Sequence, residues 1–181
     1  MYMMLLMNWA MDKLGAHKQV CNRPLETWFN VTVIVTATEW ANFYRLRNHS
    51  KAQPEIRALA EAMLEAHNQS IPRPLKRGEW HTPFVTEDEL DELGLSTALK
   101  VSTARCARVS YLNNEGKRST LEEDMKLYGR LVGEIPRHSS PAEHQATPLG
   151  RDELSGNFVG WLQHRKLIPD ENLTETPDLF I

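Results

Sequence analysis

The sequence predicts a fold in which α-helices are combined with β-structure, and two neighbouring stretches support this. From Thr36 to Leu64 the apolar side chains recur three and four positions apart, as they do in amphipathic helices. From Phe29 to Thr36, FNVTVIVT, β-branched residues dominate and valine occupies every second position, which is typical of a strand. With 181 residues the chain is long enough for one domain with a hydrophobic core.

We predict two consecutive helices between Thr36 and Leu64. Thr36 and Glu39 have the spacing of a capping box, in which each side chain bonds to the other residue's backbone N–H. Ser50 and Gln53 repeat this spacing before the second helix. The second helix has a regular apolar face and is interpreted as structural.

Arg47 follows an aromatic face on the first of these helices, because Trp40, Phe43 and Tyr44 lie three and four positions apart. An arginine on such a face is costly to bury unless it meets an anion, a carbonyl or a carboxylate. Two interpretations stay open. Arg47 is either a structural arginine or a ligand contact, since its planar guanidinium suits phosphates and uracil-like carbonyls.

Three further helices are predicted elsewhere in the chain. The first runs from the start to a cap at Gly15, and the second, which is acidic, runs from Glu87 to Gly94. The third covers Ser119 to Leu131, where Thr120 and Glu123 offer another capping box. Residues 67–92 are rich in proline and predict an irregular connector. For KVSTARCARVSY, residues 100–111, the pattern leaves strand and helix open.

Composition narrows the class of protein. A net charge of −3 does not favour a nucleic-acid or membrane-surface binder, and no apolar run is long enough to span a bilayer. Cys21 and Cys106 show neither metal spacing nor a disulfide framework, so a cytoplasmic protein is expected. His138 and His144 lack a third ligand at compatible spacing, and no metal site is predicted.

The segment E-W-A-N-F-Y-R-L-R-x4-A-Q-P-E-I-R, residues 39–57, resembles the late helical segment of the flavin-dependent thymidylate synthases, in which N-x3-L-R-x4-A-Q-x-E-I recurs. By this resemblance Arg47 contacts the uracil of dUMP and has a catalytic role, while Asn42 contacts FAD. Arg23, in N-R-P-L, stands near the position of another dUMP-binding arginine of the family. A structural salt bridge is the alternative for Arg23.

The second half of the chain is similar to the opening third of the same family. A-R-V-S-Y at residues 107–111, E-x-D-x-x-L-Y at 122–128 and H-S-S-P-A-E-H at 138–144 follow in the family's order. The resemblance assigns His138, Ser140 and Glu143 to FAD. It implies an α+β fold with helices packed on an antiparallel sheet, in which we expect Phe29 to Thr36 to be one strand.

The order of the two segments is reversed relative to ordinary family members, and some phage-type relatives resemble this permuted order. We therefore expect one domain over residues 1–181, with a late-family segment at 1–67, a connector at 68–98 and an early-family segment at 99–181. Permutation is tolerated where chain ends lie close together on the surface.

The family's central R-H-R signature has one trace here, W-L-Q-H-R at residues 161–165. Gln163 stands where the family has its first arginine, and Leu173 stands where a serine is expected. By resemblance Gln163, His164 and Arg165 hold FAD. The Met-rich start suggests a truncated or split product, for which a separate chain supplies the missing upstream segment.

The activity implied by the resemblance is reductive methylation of dUMP to dTMP. FAD is the cofactor, methylenetetrahydrofolate the one-carbon donor and NADPH the expected reductant, in a homotetramer with shared active sites. The alternative is a non-catalytic or split remnant that keeps the fold and nucleotide binding. A third hypothesis, a structural or interaction protein, rests only on the segments around Trp80 and Trp161, which are expected to be exposed.

Overall fold

The α+β class is confirmed. The computed structural model describes residues 2–109 and 119–171, in which helices are accompanied by two small antiparallel sheets. The chain divides into two compact units, Met1–Val33 and Ile34–Ile181. The single domain with permuted segments stays a prediction.

The first unit is helical. It contains α1 (Tyr2–Lys13), α2 (Lys18–Asn22) and a 3-10 helix over Arg23–Trp28. The amide of Asn8 on α1 donates to the backbone oxygen of Cys21, at 2.8 Å, and so ties α1 to α2. The predicted N-terminal helix is confirmed, and Gly15 follows it with a φ of 78° that favours glycine.

The predicted strand Phe29–Thr36 is wrong. These residues have no regular secondary structure and pair with no strand in the described part of the chain, and Val31, Val33 and Val35 are exposed. The preference of valine for strands reflects packing on a paired, half-buried sheet. Without a partner strand, the composition of this segment does not produce one.

The second unit begins with a pair of packed helices, α3 (Ala41–Arg47) and α4 (Pro54–Gln69). The two helices are confirmed, but both predicted capping boxes are wrong. The N-cap of α3 is Trp40 and that of α4 is Gln53, and neither side chain makes a capping hydrogen bond. Proline at the first position of α4 fixes a helical φ and needs no cap for its missing N–H.

Three helices build the centre of the second unit: α5 (Glu87–Leu93), α6 (Leu95–Ala107) and α7 (Leu121–Gly133). The capping box of Thr120 and Glu123 on α7 is confirmed, and Thr86 with Glu89 forms an equivalent box on α5. Residues 67–92 contain no regular element between α4 and α5 other than one bridge at His81, as the proline-rich pattern predicted.

Helix α6 is the core element, which settles the open assignment of residues 100–107 as helix, while Ser110 and Tyr111 lie outside the described residues. Its buried residues are small or apolar: Ala98, Leu99, Val101, Ser102, Thr103, Ala104 and Cys106. Small side chains let the neighbouring elements approach α6 closely.

A buried carboxylate joins α6 to α7. Asp124 is fully buried and accepts hydrogen bonds from Arg105 Nε at 3.1 Å, Arg108 Nη1 at 2.7 Å and Ser119 Oγ at 2.6 Å. Arg105 also reaches Glu89 on α5 at 2.8 Å, and the Glu89 hydrogen bond is the main reason the pKa of Arg105 is raised. The network therefore connects three helices through charge-assisted bonds.

Two antiparallel sheets follow α7. Strand β1 (Ala146–Pro148) pairs with β4 (Trp161–Gln163), and β2 (Leu154–Ser155) forms a hairpin with β3 (Phe158–Val159). His81 extends the first sheet by a bridge to Ala146, with backbone N–O distances of 2.8 and 3.3 Å. This bridge fixes the connector against β1.

Candidate functional site

The pairing of β1 with β4 brings part of the predicted FAD residues together. The segment H-S-S-P-A-E-H contains a 3-10 helix, Ser140–Glu143, directly before β1, and β4 ends at Gln163. The buried amide of Gln163 donates to the backbone oxygen of Glu143 at 3.2 Å and to Oδ1 of Asn157 at 3.1 Å. Gln163 therefore ties the end of β4 to the 3-10 helix at Glu143 and to Asn157.

Arg165 lies beside this junction, in a second 3-10 helix over His164–Leu167. Its guanidinium is 3.2 Å from the carboxylate of Glu143 and also contacts Glu171. Lys166 lies 3.7 Å from the same Glu171 carboxylate. The cluster thus contains two cations and two carboxylates, and its charges compensate one another.

His164 has a different environment. Its ring stacks on Tyr128 at 6.4 Å between centroids and meets Trp80 edge-on at 6.2 Å. Among the described residues, neither buried ring nitrogen has a hydrogen-bond partner. Burial, with a smaller contribution from Lys100, lowers the pKa of His164 below its ordinary value, so the ring is neutral at pH 7.

Replacing His164 by Phe is expected to preserve the stack and raise the free energy of unfolding at pH 7 by about 1 kcal/mol, because no buried nitrogen is left unsatisfied. Below the ordinary pKa of 6.5 the unfolded chain is protonated at His164, whereas the folded chain stays neutral there because its pKa is lowered. The unfolded state therefore binds more protons, and the stability of the parent protein falls as the pH falls. The variant should show a smaller fall between pH 7 and 5 in urea unfolding. An equal fall in both proteins would show that His164 does not contribute to the pH dependence of stability.

The other residues assigned by resemblance do not join this cluster. His138 and Ser140 are exposed, and Asn42 is exposed on α3, where it accepts from Arg45 at 3.0 Å. Arg47 is exposed and makes no ion pair within the described residues. Its position next to the aromatic face therefore does not bury it. Arg23 lies in the first unit.

Residues distant in sequence meet at Thr36 and Thr38, and the sequence did not predict these contacts. Thr36 Oγ1 lies 3.0 Å from Nδ1 of His144, and its backbone oxygen accepts from the Asn157 amide at 3.0 Å. The hydroxyl of Thr38 accepts from the backbone N–H of Val159 at 2.9 Å. Residues 36–38 are therefore bonded directly to side-chain and backbone groups of residues 144–159.

A cavity of about 460 Å³ lies at this junction. Its lining combines aliphatic, aromatic, hydroxyl and basic residues: Thr36, Ala37, Thr38, Pro72, Arg73, Leu75, His81, Ala146, Phe158 and Trp161. Such a volume and such a mixture are typical of small-molecule sites. Sequence reasoning missed Arg73 and His81 because they lie in the irregular connector, and no spacing pattern in one sequence points to them.

Two further findings limit the chemistry of the candidate site. Burial raises the pKa of the Cys106 thiol to about 12, so a thiolate nucleophile is excluded there at neutral pH. No cluster of three His, Cys, Asp or Glu side chains within residues 2–109 and 119–171 is placed to hold a metal ion.

None of the helices in the described ranges combines the length and hydrophobicity needed to cross a bilayer.

The model of one protein family matches residues 22–73, and the description of that family, Thy1, is thymidylate synthase complementing protein. The match contains Arg23, Asn42 and Arg47 as well as the threonines that line the cavity. The resemblance to the flavin-dependent thymidylate synthases is confirmed over this stretch. No curated protein and no solved structure matches the chain significantly.

The fit of the predicted FAD residues can be judged from their charges. The diphosphate of FAD needs unpaired donors or cations, whereas Arg165 already faces Glu143 and Glu171. The Glu143–Arg165 cluster of one chain therefore does not fit a diphosphate.

Proposed function

We propose that this chain acts in thymidylate synthesis, as a cytoplasmic subunit of a flavin-dependent synthase that methylates dUMP to dTMP with methylenetetrahydrofolate as one-carbon donor. The observation that supports this most is the bonding of Thr36 and Thr38 to His144 and Val159. It joins the stretch that matches the family with the segment that resembles the family's opening third. A permuted chain that keeps the family's active site requires such a junction.

FAD, with NADPH as its reductant, would supply the hydride in this proposal. Since the Glu143–Arg165 cluster does not fit its diphosphate, cations outside this cluster must hold the phosphates. A homotetramer with shared sites, or a separate chain that carries the missing arginines, would provide them.

Arg47 is the proposed dUMP contact. Its guanidinium is exposed in the last turn of α3 and faces no carboxylate among the described residues, so it is available for the substrate. Arg47→Ala is expected to weaken dUMP binding by about 1.5–3 kcal/mol, the contribution of a charge-assisted hydrogen bond, which is roughly 10- to 150-fold in Kd. Titration calorimetry measures this effect, and the melting temperature should stay unchanged.

Arg130 provides a matched control for Arg47, because it is an exposed arginine in the last turn of another helix, α7. Arg130→Ala should bind dUMP as the parent does. A large loss of stability in Arg47→Ala, with unchanged dUMP affinity, would show that Arg47 is structural.

The second candidate is a non-catalytic or split relative that keeps nucleotide binding without the synthase reaction. The compensated charge of Arg165 favours it, because a cofactor site without an unpaired cation binds phosphates weakly.

Growth of a thymidine-requiring strain separates the two candidates. Rescue by this chain alone supports the synthase and rejects the non-catalytic relative. Rescue only after a second chain with the missing arginines is added indicates a split synthase. Absence of growth in both cases, with a colourless purified protein that takes up no FAD, would reject the synthase.

A further inference from the structure

We propose that Arg73 and His81, in the connector, recognise a heteroaromatic ligand that bears a phosphate, and that this ligand occupies the 460 Å³ cavity. This inference rests on the proposed function and extends it, because it gives ligand-binding roles to two residues outside the predicted site. The shared chemistry of ring and phosphate has two sources in the proposed reaction, the nucleotide and the flavin, and the experiment below separates them.

The ring side of the cavity is aromatic. Phe158 on β3 is buried, and Trp161 is held in β4 by its pairing with Pro148 of β1. Because both side chains stand on paired strands, their positions are fixed before a ligand enters. Stacking of a flat heterocycle on such a side chain typically tightens binding about 5- to 150-fold.

The threonine hydroxyls in the wall already have partners. Thr36 bonds to His144, and Thr38 accepts from the backbone of Val159. They shape the cavity but have reduced capacity for a ligand. Polar recognition therefore falls to the other polar side chains of the lining, Arg73 and His81.

Arg73 supplies the positive charge of the described lining. It contacts Glu87 at the first turn of α5, and both side chains are largely exposed. Exposed ion pairs are weak, so a phosphate with up to two negative charges can compete with Glu87 for the guanidinium. Glu87 thus acts as an internal competitor of the phosphate.

His81 is positioned by its backbone. Its bridge to Ala146, with N–O distances of 2.8 and 3.3 Å, holds the residue at the edge of β1. His81 is exposed as a residue, but partial burial of its ring, followed by the charges of Arg73 and His144, lowers the pKa of His81. A neutral imidazole both donates and accepts a hydrogen bond, which suits the edge of a heterocycle.

The experiment is titration calorimetry of the full chain with dUMP and, separately, with FMN. Arg73→Ala should weaken binding of the true ligand about tenfold or more, and Trp161→Ala should weaken it by a similar factor. Glu87→Gln removes the competing carboxylate and should tighten binding severalfold. Arg57→Ala is the matched control, because Arg57 is another exposed arginine paired with a glutamate, Glu61, and should bind as the parent does.

Effects with dUMP alone assign the cavity to the nucleotide, and effects with FMN alone assign it to the flavin. The proposal is overturned if the parent binds neither ligand, or if Arg73→Ala and Glu87→Gln both bind like Arg57→Ala. Rescue of the thymidine-requiring strain by the parent would leave the proposed function standing in that case. Conversely, loss of affinity in Arg73→Ala would retain this site and reject the synthase if the strain is rescued neither by the parent alone nor after the second chain is added, and the purified protein takes up no FAD.

Discussion

Asp124→Asn is expected to lower the free energy of unfolding by about 3 kcal/mol, the cost of breaking a buried ion pair by removing one partner. Asp124 is fully buried and accepts from Arg105, Arg108 and Ser119. Asparagine keeps the volume of the side chain, but it removes the negative charge that compensates the two arginines. Its amide nitrogen would also face an arginine donor. Urea unfolding monitored by circular dichroism measures the difference.

Glu122→Gln is the control for this variant, because Glu122 is an exposed acidic residue in the same first turn of α7. Its stability should remain within about 0.5 kcal/mol of the parent. If Asp124→Asn changed the free energy of unfolding as little as Glu122→Gln, the network between α6 and α7 would have no stabilising role.

Gly156→Ala is expected to destabilise the protein by two separate mechanisms. Gly156 has a φ of 62°, a left-handed conformation that costs roughly 1–2 kcal/mol for an L-residue with a Cβ. A Cβ atom there would lie 2.4 Å from Oε1 of Gln163. The displaced amide would lose its bonds to Glu143 and Asn157, which adds roughly 1–3 kcal/mol for a buried polar group.

Gly160→Ala separates these two mechanisms. Gly160 also has a left-handed φ, of 77°, but the nearest atom to its Cβ would be a backbone oxygen at an ordinary 3.6 Å. It should therefore show the conformational cost alone in thermal unfolding. Equal losses in the two variants would mean that Gln163 moves aside without cost.

Local signals in the sequence were reliable only in part, since one of the three capping boxes predicted from spacing is observed. The capping box of Thr120 and Glu123 formed because both groups belong to one helix start. The box of Thr36 and Glu39 has the same spacing, yet the Thr36 hydroxyl bonds to His144, 108 positions away. A spacing rule cannot anticipate a competing partner at that distance.

The candidate site shows the same limit. The helical spacing correctly identified the aromatic face, since the ring centroids of Trp40 and Phe43 are 6.0 Å apart. It did not predict that Arg47, at the end of this face, is exposed. Resemblance marked Glu143, Gln163 and Arg165, which the sheet does bring together. It gave no sign that the charge of Arg165 is compensated by two carboxylates. One of them belongs to Glu171, which no motif includes.

The bond between Asn157 and Thr36 joins residues 121 positions apart, and this separation has a consequence for synthesis. A ribosome adds about 5–20 residues per second, so roughly 6–24 s pass between the appearance of Thr36 and that of Asn157. Throughout this interval the nascent chain presents the Thr36–Thr38 segment, preceded by its row of valines, without the hairpin to which it binds. Slower translation of the connector should prolong this exposure and increase the demand for chaperones.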